Sequence, residues 1–133
     1  MILVNSIEML KQYVKEIPNN LIDVLKNPIK PTTVIYKNPK GLAKNVMAAD
    51  KTIAIRIVQD EFCQKLIQKF GKPIVSTSAN ISGMPAPRTF KEIDPLISGK
   101  VDYVVNLYQD KINDSPSTII KIDDEGEIEI IRE

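Results

Sequence analysis

Five small polar side chains, Ser76, Thr77, Ser78, Asn80 and Ser82, follow an apolar lead-in within PIVSTSANISG, residues 73–83. Hydroxyls and an amide at this density can hold an anion or orient a polar substrate. In an extended backbone alternate side chains share a face. That pattern sets Ser76, Ser78 and Asn80 on one side, with Thr77 and Ala79 on the other. Small residues also let backbone N–H groups close on an anion, and a turn there can form a nest for one. Strand ends that open into loops are where α/β sheets place their sites. The opposing reading is a polar turn whose hydroxyls satisfy local backbone groups, and composition alone favours it.

What the chain lacks narrows the chemistry. Its 133 residues include no His. Ser-His-Asp and Cys-His catalysis and His-bearing zinc sites are therefore excluded. Neither GxxxxGK[ST] nor GxGxxG occurs, so the standard nucleotide loops are missing. The single cysteine, Cys63, forbids an internal disulfide and points to a reducing, cytoplasmic setting. It falls on or beside the apolar face of its helix, as a packed thiol and not a nucleophile. Lys+Arg 18 against Asp+Glu 17 leaves a net charge of +1, so any nucleic-acid surface must be local. Lys37, Lys40, Lys44 and Lys51 form one basic stretch, which a solvated face explains more simply. No apolar run approaches membrane-spanning length. The start, MILVNSIEML, lacks the basic flank and cleavage site of a signal peptide.

The elements that must position these residues alternate in type. Residues 2–4 read as a short apolar strand. Asn5 or Ser6 caps the next helix, with Glu8 placed for a capping box from Asn5, and Ile7, Leu10, Tyr13 and Val14 recur at helical spacing. Pro18 suits the first turn of a second helix carrying Leu21, Ile22, Val24 and Leu25. Strands are expected over residues 32–36, 53–58 and 74–76. Between the last two, Asp60 caps a helix with an apolar stripe of Phe62, Leu66, Ile67 and Phe70, and Gly71 ends it. A short helix over residues 90–97 and a strand over 103–106 follow. Strands over 117–122 and 127–131 flank Asp-Asp-Glu-Gly as a hairpin, the second with one wet face. Interleaved strands and helices with a terminal hairpin predict an α/β fold with a mixed sheet. The length favours one domain, which can bury a core without disulfides or metals.

Residues 73–87, PIVSTSANISGMPAP, resemble the SxN-containing signature of the YrdC/YciO family of threonylcarbamoyl-AMP synthases. TIAIR (52–56) resembles that family's TVAVR strand, PSTII (116–120) its STVVD strand and IIRE (130–133) its closing LLRPG. The matches fall in family order. They cover essentially all of this chain but only the later two-thirds of the family's catalytic domain. The resemblance implies a single YrdC-like domain over residues 1–133: a twisted mixed sheet with flanking helices, incomplete at its N-terminal side. It also implies an activity, the joining of L-threonine, bicarbonate and ATP into threonylcarbamoyl-AMP and pyrophosphate, for threonylcarbamoyladenosine in tRNA. Magnesium is expected with the ATP, no protein metal site is marked, and contact with double-stranded RNA is a further implied property.

Residue by residue, Ser78 and Asn80 match the SxN pair at the centre of the site, near the nucleotide phosphates. Arg56 matches the arginine that takes threonine's carboxylate, a task suited to a guanidinium fork. The competing reading is a surface ion pair, but an arginine inside the apolar run 53–58 needs a partner of its own. Ser76 stands where relatives often carry Thr and would touch threonine, while Thr52 and Arg132 match nucleotide contacts and Ser117 and Thr118 would brace the nucleotide side. Thr52, Arg132, Ser117 and Thr118 also have a bland reading as strand or terminal residues.

The sequence departs from the family in three places. The PTxTxYGL strand-loop and the KxR motif are missing, NPIKPTTV (27–34) replaces a Trp-Pro-Gly-Pro turn, and Ala86 sits where a serine is frequent. With half of the substrate cage gone, the chain alone is expected to be weakly active or inactive. An exposed sheet edge is expected to drive self-association or to loosen the residues near Met1. Two rival readings are a nucleic-acid-binding module without catalysis and a non-catalytic remnant that binds nucleotide.

Overall fold

In the computed structural model, which describes residues 1–113, 116–123 and 125–132, six strands form one mixed sheet. They are β1 (Ile2–Val4), β2 (Thr32–Lys37), β3 (Thr52–Ile57), β4 (Ile74–Val75), β5 (Thr118–Ile122) and β6 (Ile128–Arg132). Their order is β4-β1-β3-β2-β5-β6, with β1–β3 and β2–β5 parallel and the other pairs antiparallel. This is the mixed-sheet α/β fold that the alternation of elements predicts.

One sheet face carries the core. Ile2 and Val4, Val34 and Tyr36, Ile53 and Ile55, and Ile120 alternate along their strands and are all buried. Leu10 of helix α1 (Ile7–Tyr13) and Leu21 and Leu25 of α2 (Asn19–Lys26) join the same cluster. Complete burial of a Leu or Ile stabilises by about 1.5–3 kcal/mol. The opposite face bears Leu3, Ala54, Arg56 and Thr33, the other half of the same alternation.

The chain divides into two compact units, Met1–Ser76 with Ser117–Glu133, and Thr77–Pro116. The first holds the whole sheet, α1, α2 and α3 (Glu61–Phe70). Ser6 caps α1 through the Met9 N–H, 3.1 Å. Asn5 therefore does not form the expected capping box with Glu8; it accepts from the Ser6 hydroxyl instead. Pro18 sits just before α2, not in its first turn. Its φ of −56° suits a helix but its ψ of 145° is extended, so only its carbonyl takes part, accepting from Leu21 and Ile22. Asp60 caps α3 and Gly71, at φ 73°, ends it, as the sequence indicates. Only Ile67 of the α3 stripe is buried; Phe62, Leu66 and Phe70 stay exposed.

The second unit holds a 3-10 turn at Phe90–Glu92 and the short helix α4 (Pro95–Ser98), capped by Asp94. These divide the single helix expected over residues 90–97. The strand expected over residues 103–106 does not form: Tyr103, Val104 and Val105 are exposed, and no strand among the described residues pairs with them. β propensity alone does not make a strand without a paired neighbour. At the terminal hairpin, Asp123 Oδ1 accepts from the N–H groups of Glu125 and Glu127, and Gly126 takes φ 84°. Asp124 of that turn and Glu133 of IIRE lie outside the described residues.

Candidate functional site

Within the sheet unit, register aligns four residues across neighbouring strands. Arg56 on β3 pairs with Thr33 on β2, Thr33 with Ile119 on β5, and Ile119 with Arg132 on β6. Paired residues project from one face, so the two arginines share the face opposite the core. Arg132 reaches it through a β-bulge. Ile120 pairs with Ile130 but Ile119 pairs with Arg132, so one residue is skipped. Without the bulge Ile131 would occupy that position and Arg132 would turn to the core face.

Arg56 is half-buried and spends its Nε and Nη2 donors on one acceptor, Thr33 Oγ1, at 3.0 and 2.8 Å. Thr33 is 3% exposed. No carboxylate pairs with Arg56 among the described residues. Desolvation pulls its guanidinium below the usual arginine range, and the charge of Arg132 adds to this. Arg132 lies three strands away from Arg56 on the same face. The Nη1 side of Arg56 remains free to take a planar anion in a two-bond fork.

Arg132 is held by its neighbour across the hairpin: Nε and Nη2 donate to the Ser117 carbonyl at 3.1 and 3.0 Å, and Nη2 donates to the Ser117 hydroxyl at 3.1 Å. Thr118 pairs with Thr32 and so projects from the core side of β5, away from the arginine row. Thr52 shares the face of Arg56 but lies four residues back along β3, about 13 Å by strand rise. Its hydroxyl and N–H both donate to Asp50 Oδ1, at 2.7 and 3.1 Å, which holds that carboxyl below its ordinary range. Ser76, half-buried, donates its N–H to the Met1 carbonyl at 3.0 Å, directly after β4.

The SxN pair lies in the second unit. Ser78 and Asn80 do not alternate on an extended strand, because β4 ends at Val75 and Ala79 adopts φ 55°, in the left-handed region. That turn folds the two side chains onto each other, and the Ser78 hydroxyl donates to Asn80 Oδ1. Asn80 Nδ2 donates in turn to the carbonyls of Ile81 and Met84, at 3.2 and 2.7 Å. The amide thus clamps the loop after it and fixes the orientation of an exposed hydroxyl. A cavity of about 360 Å³ adjoins this loop, lined by Asn80, Met84, Pro85, Ala86 and Lys91 among others.

Thr33 is the participant that sequence reasoning missed. A threonine in a β-rich run carries no mark of function, and only the strand register places it beside Arg56. Cys63 is half-buried, and burial, with Asp60 adding to it, pushes its thiol up to about 11. Among the described residues no cluster of His, Cys, Asp or Glu could hold a metal, and no helix is long and apolar enough to cross a membrane.

A mixed six-stranded sheet in this order, with flanking helices, is a fold of the YrdC type. The chain belongs to the Sua5/YciO/YrdC family, whose model, described as "Telomere recombination", matches residues 1–133. A putative threonylcarbamoyl-AMP synthase of Methanocaldococcus jannaschii is 39% identical over 118 residues, 89% of this chain and 53% of that one. The threonylcarbamoyl-AMP synthase of Escherichia coli K12 is 33% identical over 91 residues, 65% of this chain and 47% of its own. The chain spans about half the length of these curated relatives. Among solved structures, E. coli YciO shares the fold at a TM-score of 0.79 and 24% identity, over 99% of this chain and 64% of that one. Sua5 of P. abyssi complexed with L-threonine does so at 0.78 and 24%, over 98% and 38%.

Proposed function

We propose that this chain carries a threonylcarbamoyl-AMP synthase-type site. Threonine's free amine takes up bicarbonate to give a carbamate and water. A carbamate oxygen then attacks the α-phosphorus of ATP as the bond to the bridging oxygen breaks, and pyrophosphate leaves. Such a reaction asks for alignment and charge stabilisation more than for proton transfer. Magnesium enters as the counter-ion of the ATP substrate. Bicarbonate, ATP and a threonylcarbamoyl adduct destined for tRNA in the cytoplasm belong to this reading.

The observation that carries it is the Arg56–Thr33 pair: a half-buried guanidinium held by a neutral hydroxyl, with donors left for an anion. In this reading Arg56 takes the carboxylate of threonine and Ser76 its polar end. Ser78, held by Asn80, faces the phosphates. Arg132, braced by Ser117, takes the nucleotide side. The names of the relatives, and the threonine in the P. abyssi Sua5 complex, support the same substrate.

The test is threonine- and bicarbonate-dependent release of pyrophosphate from ATP. Ser78→Ala should lower turnover about 100-fold, the scale of losing one positioned donor. ATP binding without pyrophosphate release in a folded chain would replace this reading with that of a nucleotide-binding module.

A further inference from the structure

The sheet unit contains a second cavity, which none of the residues assigned above lines. Its volume is about 380 Å³, within the usual range for a small-molecule site. It lies between the ends of α1 and β2, the start of α2 and the β5–β6 hairpin. Arg56 pairs near the start of β2, whereas this cavity opens at Tyr36 and Asn38 at its far end.

Tyr36 is 2% exposed, yet its hydroxyl makes no hydrogen bond among the described residues. No fully enclosed side-chain nitrogen or oxygen of the described residues lacks a partner, so this hydroxyl reaches open space, and that space is the cavity. A buried tyrosine ordinarily finds a partner for its hydroxyl. Desolvation holds the phenol well above the usual tyrosine range, so it stays protonated and can donate. The partner it lacks is therefore an acceptor in the cavity. Beside it Val14, Pro18 and Ile122 present apolar walls.

The charges around the cavity balance. Lys15 and Lys37 line it, and so do Glu16 and Asp123. A lining with no net charge does not offset the desolvation of a ligand that carries one. Lys15, Glu16 and Asn38 are exposed, whereas Val14 and Tyr36 are buried, so the polar groups stand at the rim and the apolar ones at the floor. Asp123 commits its Oδ1 to the hairpin turn. Glu16 makes no ion pair among the described residues, and its oxygens are open acceptors. Hydroxyls donating to a carboxylate make short, strong hydrogen bonds, and a vicinal diol brings two such donors at once. An acceptor on an apolar ring at the buried end and a diol at the outer end are the two ends of a nucleoside.

We infer that this cavity binds an uncharged nucleoside: the base lies against Val14, Pro18 and Ile122, a ring acceptor takes the Tyr36 hydroxyl, and the ribose diol donates to Glu16 at the rim. The site shares no residue with the threonine and ATP site proposed above, so either can fail without the other.

Adenosine titrated into the full chain, followed by backbone amide shifts, tests this. Shifts should cluster at Lys15, Asn38 and Gly126. Tyr36→Phe, which removes only the hydroxyl, should weaken binding about fivefold, and Glu16→Ala about tenfold, the scale of one neutral and one charge-assisted hydrogen bond. A dideoxy form of adenosine that lacks both ribose hydroxyls should bind the parent chain as weakly as adenosine binds Glu16→Ala, and should lose nothing further in that variant. AMP should shift this cluster only at higher concentration than adenosine does. No shifts here, or shifts confined to the surroundings of Arg56 or Ser78, would overturn the site and leave the Tyr36 hydroxyl to water. An unchanged affinity in Tyr36→Phe would overturn it as well. AMP binding here as tightly as adenosine would overturn the uncharged class, and the dideoxy form doing so would overturn the diol.

Discussion

Thr33 governs what Arg56 can do. It accepts two donors of a half-buried guanidinium and sets the plane of the fork. Thr33→Val keeps the volume and removes the acceptor. Hydrogen bonds to charged groups are worth roughly 1.5–3 kcal/mol, and the remaining water access places the loss at the lower end. We expect the folded chain to lose about 1.5 kcal/mol and L-threonine to bind about tenfold more weakly. Calorimetric titration separates the outcomes. A loss of stability with unchanged threonine affinity would make Thr33 a packing residue and nothing more. The same residue shows where sequence reading stops. Ser78, Asn80 and Arg56 are marked by the family resemblance of their segments, but a hydroxyl on a neighbouring strand becomes a partner only through register, which long-range pairing decides.

Elements were more legible than contacts. All six strands of the sheet, the caps of α1 and α3, and the left-handed stop at Gly71 follow from apolar alternation and short polar residues at the right places. Gly71 offers a clean test. Its φ of 73° disfavours any side chain with a Cβ, and no atom lies within 4 Å of where that Cβ would sit. Gly71→Ala should therefore cost about 1 kcal/mol from backbone strain alone. A urea midpoint that does not fall would mean that the helix end relaxes. Two expectations failed for one reason. The run at residues 103–106 has β-formers but pairs with no strand among the described residues, and the α3 stripe has helical period but only Ile67 covered. Periodicity names a face; it does not supply what packs on it. The bulge in β6 was also invisible, since no Gly or Pro marks it, yet it alone turns Arg132 toward the row of Arg56.

At the scale of the whole molecule the sheet ends in two open edges, β4 and β6. The residues after Met1 are not one of them, because β1 lies between β3 and β4. β4 is only two residues long, too short to template another strand. β6 has five, and Ile130 and Ile131 are 58% and 51% exposed. Its bulge and the charges of Glu129 and Arg132 blunt the edge, as natural sheets do, but do not hide the isoleucine pair. Pairing β6 with a second copy, antiparallel about a two-fold axis, would satisfy both edges at once. The area gained by five residues is below that of a stable interface, so the association should be weak and concentration-dependent. Ile131→Lys places a charge in that edge and leaves the Arg56–Thr33 bonds untouched. Sedimentation velocity across a concentration series should show a reversible dimer for the parent chain and a monomer for the variant, with equal threonine affinity in both. A parent chain that stays monomeric throughout would mean that the bulge and its flanking charges are protection enough. An equally dimeric variant would move the interface to the exposed apolar side of α3.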